Sequence, residues 1–144
     1  MAELVETYRG TVYPWHCDHV GHMNVMYYVG KFDEATWHLF NRIGLSRRYL
    51  AQNARGMAAV DQRIAYQREL LAGDVIVVRS GILEVREKPL RFVHEMVDAA
   101  TDEVAAITQL VAVHLDGAAR KATPLPDEVK ERARASVVAY ALPW

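Results

Sequence analysis

A single long stretch with helical periodicity constrains the fold more than any other feature of the sequence. Residues 24–43 carry apolar side chains at spacings of three and four, the period of an α-helix with one buried face. Asn24 suits the N-cap of this helix, and Gly44 suits the position just after its last turn. Gly30 is a poor helix former, so we interpret it as a point of close approach by another backbone. The pattern predicts one long, mostly buried helix.

Strand-like segments account for most of the remaining sequence. A first strand is predicted at residues 7–13, and the helix is followed by a connecting segment that runs to about Gly56. Four β-rich segments joined by tight turns follow at residues 57–70, 73–87, 89–100 and 103–115. Residues 125–138 have Pro and Asp near their start and predict a short C-terminal helix. One long helix beside consecutive antiparallel strands is typical of the α+β class.

Length, charge and cysteine content exclude several classes of protein. The 144 residues predict a single domain that spans residues 1–144. A net charge of −1 without a long basic run gives no electrostatic support to a nucleic-acid partner. The single cysteine, Cys17, excludes an intrachain disulfide and a multi-cysteine metal site. The sequence shows neither a signal peptide nor an apolar run of about 20 residues, so we expect a cytoplasmic protein without a membrane partner.

The segment CDHVGHMN, residues 17–24, concentrates polar side chains directly before the long helix. It can be a polar turn that caps the helix, or a reaction centre built at the helix N-terminus. A helix N-terminus offers free N–H donors and partial positive charge, and the carboxylate of Asp18 could lie close to a carbonyl bound there. Gly21 would let the backbone approach a substrate without a Cβ in the way. The residues alone leave both interpretations open.

The element order, with Asp18 in the loop before the helix, resembles the hotdog fold. It resembles in particular the 4-hydroxybenzoyl-CoA thioesterase-like family of acyl-CoA thioesterases. The resemblance is sharpest in WHCDHVGHMNVMYYVGKFDEA, residues 15–35, which has an aspartate, a glycine three residues later and an aromatic helix start. The same stretch is similar to the Asp-x-x-x-His-x-Asn segment of plant acyl-ACP thioesterases, with Asp18, His22 and Asn24 in those places. The resemblance implies a five-stranded antiparallel sheet wrapped around one long helix, with a short C-terminal helix.

The resemblance also implies an activity, the hydrolysis of an acyl-CoA thioester to a carboxylic acid and CoA. Asp18 would be the nucleophile or the general base, and backbone N–H groups from His22 to Val25 would stabilise the oxyanion. No cofactor is expected beyond the coenzyme A of the substrate, although acyl carrier protein stays open as the acyl carrier. A sheet covered by one helix leaves a face or edge exposed, so we expect a homodimer or homotetramer. The family would place its active sites between subunits.

Several side chains around this centre have more than one possible role. His22 would orient a water or bind the thioester carbonyl, or it would only hydrogen-bond within the loop. Asn24 would cap the helix or position the loop, together with Gly21 and Val25. Asp33 and Glu34, farther along the helix, are alternative carboxylates.

Residues for substrate contact are assigned on weaker grounds. Trp15 and Met23 flank the motif and are the favoured acyl-lining pair. Asp61 lies on the strand that the resemblance places across the active site from the partner subunit. Adenosine phosphates would need basic side chains. The candidates are in one turn: Arg86, Lys88 and Arg91.

Four other interpretations compete with a thioesterase that depends on Asp18. A metal site built from His16, His19 and His22 is disfavoured because Cys17 completes no known zinc spacing, and we expect no metal. Cys17 is also a poor nucleophile, because the neighbouring Asp18 would raise its pKa. A hotdog dehydratase or hydratase is disfavoured by GHMN in place of a His-Phe-Pro-Gly segment. A non-catalytic hotdog module that binds an acyl ligand would not need Asp18.

Overall fold

A computed structural model describes all residues from Met1 to Trp144. The elements, in chain order, are β1 (Val5–Thr11), α1 (Val25–Arg42), α2 (Arg47–Gln52), β2 (Arg55–Tyr66), β3 (Val75–Val85), β4 (Pro89–Asp98), β5 (Val104–Asp116), β6 (Lys121–Ala122) and α3 (Asp127–Ala135). The loop between β1 and α1 contains one short 3-10 turn, Pro14–His16. No helix is long and apolar enough to cross a membrane.

All strands belong to one antiparallel sheet with the order β1-β3-β4-β5-β2, and the short β6 pairs with β5. Helix α1 packs against one face of this sheet, with Phe32, Leu39 and Phe40 almost fully buried. The ring of Phe40 meets the ring of Phe92 on β4 edge to face, with centroids 5.4 Å apart. This arrangement confirms the predicted α+β class and the predicted hotdog architecture.

The ends of α1 form as their residues predict, but Gly30 does not act as predicted. The Asn24 side chain accepts a hydrogen bond from the Met26 N–H at 2.9 Å, so Asn24 is the N-cap. Gly44 has a φ of +94°, the left-handed conformation that follows many helices. The prediction of a close backbone approach at Gly30 is wrong, because no atom lies within 4 Å of the place where its Cβ would be.

The segment between α1 and β2 was predicted as a connection, and it contains the short helix α2. Ser46 caps this helix by accepting a hydrogen bond from the Tyr49 N–H at 3.1 Å. A helix of six residues shows no apolar periodicity that could be recognised. The strand predicted at residues 57–70 also differs, since β2 begins at Arg55 and ends at Tyr66.

The chain itself covers part of the second face of the sheet. Val138, which follows α3, packs with Val93 and Ile107 on that face, and its N–H donates to the carbonyl of Ile82 at 2.8 Å. A Cβ on Gly81 would lie 2.6 Å from Val138, so this contact requires glycine. The edge strand β2 stays open, and its side chains from 59 to 63 are exposed.

A fully buried polar network joins α1 to the sheet. His94 on β4 hydrogen-bonds through Nε2 to the Thr36 hydroxyl of α1 at 2.8 Å and through Nδ1 to the Ser80 hydroxyl of β3. Ser80 also hydrogen-bonds the Thr7 hydroxyl of β1 at 2.6 Å. Burial lowers the pKa of His94 to about 3, so the ring is neutral at physiological pH. The network fixes the position of α1 on the sheet.

Candidate active site

The loop before α1 is closed by its own backbone hydrogen bonds. The Asp18 N–H donates to the His22 carbonyl at 3.2 Å, and the Asn24 N–H donates to the His16 carbonyl at 2.9 Å. Gly21 reverses the chain between these bonds with a φ of +97°, a conformation that residues with a Cβ rarely adopt. The closed loop holds Asp18 beside the start of the helix.

Two hydrogen bonds fix the Asp18 carboxylate. Oδ1 accepts from the Val20 N–H at 2.9 Å, and Oδ2 accepts from the Asn24 Nδ2 at 2.8 Å. The Asn24 bond and then the Val20 bond hold the pKa of Asp18 below its usual value, with smaller contributions from His19 and His22. The result is an oriented carboxylate that stays ionised at neutral pH.

Asn24 links the cap of the helix to this carboxylate. Its Oδ1 accepts from the Met26 N–H while its Nδ2 donates to Asp18, and only one orientation of the amide satisfies both bonds. An aspartate could cap the helix in its place, but an ionised aspartate has no hydrogen to donate to the Asp18 carboxylate. The loop is therefore both a helix cap and a positioned acid, which joins the two interpretations of the motif.

Free backbone donors lie beside the carboxylate. Of the first three N–H groups of α1, that of Met26 is used by the cap and that of Tyr27 donates to the Asn24 carbonyl, whereas that of Val25 has no acceptor in the chain. The His22 N–H has no acceptor either. Both groups are available to a bound oxygen, and the partial positive charge of the helix N-terminus adds to their effect.

His22 has a partner that the sequence pattern did not indicate. Its Nε2 lies 3.7 Å from Oε1 of Glu69, which is in the segment after β2. The two side chains line a cavity of about 260 Å³ together with Tyr28 and Tyr66, whose rings meet edge to face. Burial raises the pKa of Tyr28 to about 12, so its hydroxyl keeps its proton and donates to the Arg68 carbonyl at 3.1 Å. Glu69 could not be recognised from sequence because only the fold brings it to His22.

The predicted acyl-lining residues lie in different surroundings. Met23 is 1% exposed, packs in the core and lines the small cavity beside His22. Trp15 is 67% exposed and stacks on Tyr13, with ring centroids 4.6 Å apart. Asp61 is on the open part of the edge strand β2. Within one chain these three side chains do not line a common cavity.

The imidazoles of the loop have separate partners. His16 Nδ1 accepts from the Tyr13 N–H at 2.9 Å, and its ring packs on Tyr27 at a centroid distance of 4.8 Å. His22 faces Glu69. No group of three or more His, Cys, Asp or Glu side chains is placed to hold a metal ion.

Comparison with known proteins then identifies the family. Residues 12–133, which include the Asp18 loop and every strand from β2 to β6, match the thioesterase-like superfamily. The chain belongs to this superfamily. The match confirms the predicted family and the predicted class of enzyme, a thioester hydrolase.

Individual known proteins and solved structures resemble most or all of the chain. A betainyl-CoA thioesterase of Pseudomonas aeruginosa is 24% identical over 144 residues, which cover 99% of this chain and 91% of that protein. A Staphylococcus aureus protein in complex with CoA superposes with a TM-score of 0.89 at 18% identity, covering 99% of this chain and 91% of that one. A 1,4-dihydroxy-2-naphthoyl-CoA thioesterase from Synechocystis superposes with a TM-score of 0.78 at 20% identity, covering 88% and 93%. The superpositions establish that the fold is shared.

The three basic side chains that are candidates for binding CoA phosphates differ in their ion pairs and hydrogen bonds. Arg86 and Lys88 are exposed in the turn between β3 and β4, and neither makes an ion pair. Arg91 instead donates to Gln109 at 3.1 Å and lies 3.6 Å from Glu84. In this member of the superfamily, Arg86 and Lys88 are the more accessible cations.

Proposed function

We propose that the protein is an acyl-CoA thioesterase that hydrolyses a thioester to a free carboxylic acid and CoA. The observation that carries this proposal is the ionised carboxylate of Asp18, held by Asn24 and the Val20 N–H beside the N-terminus of α1. A relative named as a betainyl-CoA thioesterase and a similar structure that contains CoA support CoA as the acyl carrier.

The reaction needs a nucleophile and stabilisation of the oxygen that becomes negative. The thioester carbonyl oxygen accepts hydrogen bonds from the free N–H groups of Val25 and His22, where the helix N-terminus favours negative charge. Asp18 either attacks the carbonyl carbon or takes a proton from the water that attacks it. In both cases the C–S bond breaks and CoA leaves as a thiolate, which needs no prior protonation. If Asp18 attacks, the acyl group is left as a mixed anhydride on its carboxylate, and water then hydrolyses that anhydride to release the carboxylic acid. Both roles require the ionised carboxylate.

His22 and Asn24 assist this carboxylate in different ways. Asn24 is a positioning residue, because it holds Asp18 and does not need to touch the substrate. The His22 ring, oriented by Glu69, binds or orients the water that enters the site. Neither role requires a metal or a bound cofactor.

The complete site includes a second subunit. The edge strand β2 is open, and Val60 at its centre is 61% exposed. Exposed apolar side chains on α1, including Val29 and Trp37, extend the uncovered surface. Pairing through this surface makes a homo-oligomer in which Asp61 of one chain faces the loop of another. Sedimentation equilibrium tests this, and a monomer at every concentration would contradict it.

Thiol release from a panel of acyl-CoAs tests the proposed activity. Acyl groups of short, long, branched, aromatic and betaine type are offered to the native chain, and free CoA is measured with a thiol reagent. The proposal predicts hydrolysis of at least one member well above the rate in buffer. If no thioester is cleaved and an enoyl-CoA is hydrated instead, the protein is a hydratase.

A further inference from the structure

A cavity of about 530 Å³ lies between β1, the Pro14–His16 turn and the first half of α1. Its walls are rich in aromatic side chains: Tyr8, Tyr13, Trp15 and Tyr27. Two charged side chains of α1, Lys31 and Glu34, also line it. Nothing in the proposed mechanism uses this cavity.

The Lys31 side chain is buried along its length, while its ammonium opens into the cavity and has no counterion in the chain. Its side chain is only 5% exposed, and its ammonium makes no hydrogen bond and no ion pair with the chain. Its one charge-dependent contact is with the ring of Tyr8, whose centroid lies 5.5 Å from Nζ. Burial lowers the pKa of Lys31, and the nearby Glu34 carboxylate opposes that effect. An ammonium that has no partner in the chain and opens into a cavity is free to pair with an anion that enters there, so the cavity presents a site that an anion would complete.

Glu34 does not serve as that anion. It is exposed, and it lies beyond ion-pair distance from the Lys31 ammonium. Its carboxylate instead acts on Tyr8, because burial and then the nearby Glu34 charge raise the pKa of the Tyr8 hydroxyl. Glu34 therefore weakens the attraction of the cavity for an anion without occupying the position next to Lys31.

The shape of the cavity depends on glycine at position 30. Gly30 lines the cavity, and no atom lies within 4 Å of the position its Cβ would take. A glycine inside a helix costs about 1 kcal/mol relative to alanine. The open space beside Lys31 is thus maintained by a residue that is unfavourable for the helix.

The cavity borders the Asp18 loop. His16 lines it, and the His16 carbonyl accepts the N–H of Asn24, the residue that holds Asp18. Tyr27, another wall of the cavity, is in the first turn of α1. A ligand whose thioester lies at Asp18 can therefore extend into this space.

We propose that this cavity is an anion-binding subsite in which Lys31 pairs with a carboxylate or phosphate group of the acyl-CoA ligand. The proposal rests on the proposed function. The anion has two possible sources, an acidic substituent on the acyl group and the phosphates of coenzyme A. The two sources share the chemistry that Lys31 recognises, and ligands that carry one or the other distinguish them.

Equilibrium binding tests the subsite independently of hydrolysis. Three ligands are titrated calorimetrically into protein carrying Asp18→Asn: benzoyl-pantetheine, which has no anion, benzoyl-CoA, which has the phosphates, and 4-carboxybenzoyl-pantetheine, which has only the acyl carboxylate. Lys31→Met preserves the length of the side chain and removes its charge. We expect Lys31→Met to lower the affinity for an anionic ligand about tenfold or more and to leave the affinity for benzoyl-pantetheine unchanged. Loss confined to benzoyl-CoA assigns the phosphates, and loss confined to 4-carboxybenzoyl-pantetheine assigns the acyl group.

Two further variants sharpen the result. Glu34→Gln removes the competing negative charge. It should raise the affinity for the same ligand whose binding Lys31→Met weakens. Lys121→Met, on the exposed strand β6, is the matched control and should leave the affinity for all three ligands unchanged.

Equal effects of Lys31→Met on all three ligands, or no effect on any, would overturn the subsite. If Lys31→Met does not fold, Gly30→Leu is used instead, because its side chain fills the cavity. Unchanged binding of every anionic ligand to Gly30→Leu would also overturn the subsite. If the native chain hydrolyses no thioester, the proposed thioesterase activity is refuted, whereas the anion-binding subsite is still judged by the binding measurements.

Discussion

The side-chain amide of Asn24 donates to the Asp18 carboxylate at 2.8 Å while its oxygen caps α1. One side chain thereby ties the orientation of the acid to the start of the helix that supplies the free N–H groups. Any movement of the helix start also moves Asp18, so the carboxylate and the free N–H groups keep a fixed relationship. In the proposed mechanism this coupling makes the capping residue a positioning residue for the reaction.

Replacing Asn24 by aspartate separates its two roles. Asn24→Asp retains a good capping oxygen but places a second carboxylate against Asp18, so the protein should lose about 1–2 kcal/mol of stability at neutral pH and less in acid, where one carboxylate is protonated. Activity should fall about a hundredfold, because a misplaced reacting group has effects of that order. The pH profile of kcat/KM should shift upward, since a like charge raises the pKa of Asp18. If the fall in kcat/KM is accounted for by a smaller folded fraction, and the pH profile of kcat/KM does not shift, Asn24 has only a structural role.

The pKa of Asp18 predicts the acidic limit of activity. The folded-state pKa lies below the usual value for aspartate, and the reaction requires the ionised form. The acidic limb of kcat/KM should therefore appear below the usual aspartate range, and activity should persist at mildly acidic pH. The measurement is kcat/KM from about pH 2.5 to 8, with folding followed in parallel. A limb above the usual aspartate range would contradict Asp18 as the group whose ionisation limits activity.

His94 predicts how stability depends on pH. Its folded-state pKa is lowered to about 3, so in acid the unfolded chain binds a proton that the folded chain does not. Stability attributable to His94 is therefore present above about pH 6.5 and decreases as the pH falls toward 3, by up to about 1.4 kcal/mol per pH unit. His94→Gln should reduce the slope of unfolding free energy against pH, whereas the exposed His38→Gln should not. An unchanged slope in His94→Gln would show that His94 is not a buried neutral base.

Two glycines should respond in opposite directions to alanine. Gly30→Ala meets no atom within 4 Å and improves helix propensity, so it should stabilise the fold by about 0.5–1 kcal/mol. Gly81→Ala would place a Cβ 2.6 Å from Val138, so it should destabilise the fold by about 1–3 kcal/mol. Urea denaturation of the three proteins measures both effects. Similar changes in both variants would contradict the packing described around α1 and Val138.

The sequence predicted the fold well because its strongest signals are local. Apolar spacing and two good caps define α1, and Asn24 and Gly44 occupy the predicted positions. The helix α2 escaped prediction because six residues carry no periodic pattern. No segment packs closely on Gly30, whereas the Val138 side chain packs tightly on Gly81, where the tail after α3 crosses β3. Such contacts between distant segments leave no local signal.

The candidate site was predictable only in its local part. The motif placed Asp18 and Asn24 near the helix start, but the bond between them depends on how the loop closes. Glu69 reaches His22 only through the path of the chain after β2. Lys31 has the sequence appearance of an ordinary polar helix position, and its burial depends on β1 and the Pro14–His16 turn. Residues supplied by distant elements therefore require the structure.

Measurement of kcat/KM for Asp18→Asn tests the central claim most directly. Asparagine is nearly isosteric and can still accept the Val20 N–H bond, so thermal unfolding should stay close to that of the native chain. Asp33→Asn, the same change at an exposed carboxylate of α1, is the control. With the best substrate of the acyl-CoA panel, kcat/KM of Asp18→Asn should be about a thousandfold or more below that of the native chain, and Asp33→Asn should retain native activity. A folded Asp18→Asn protein with native activity would contradict the account.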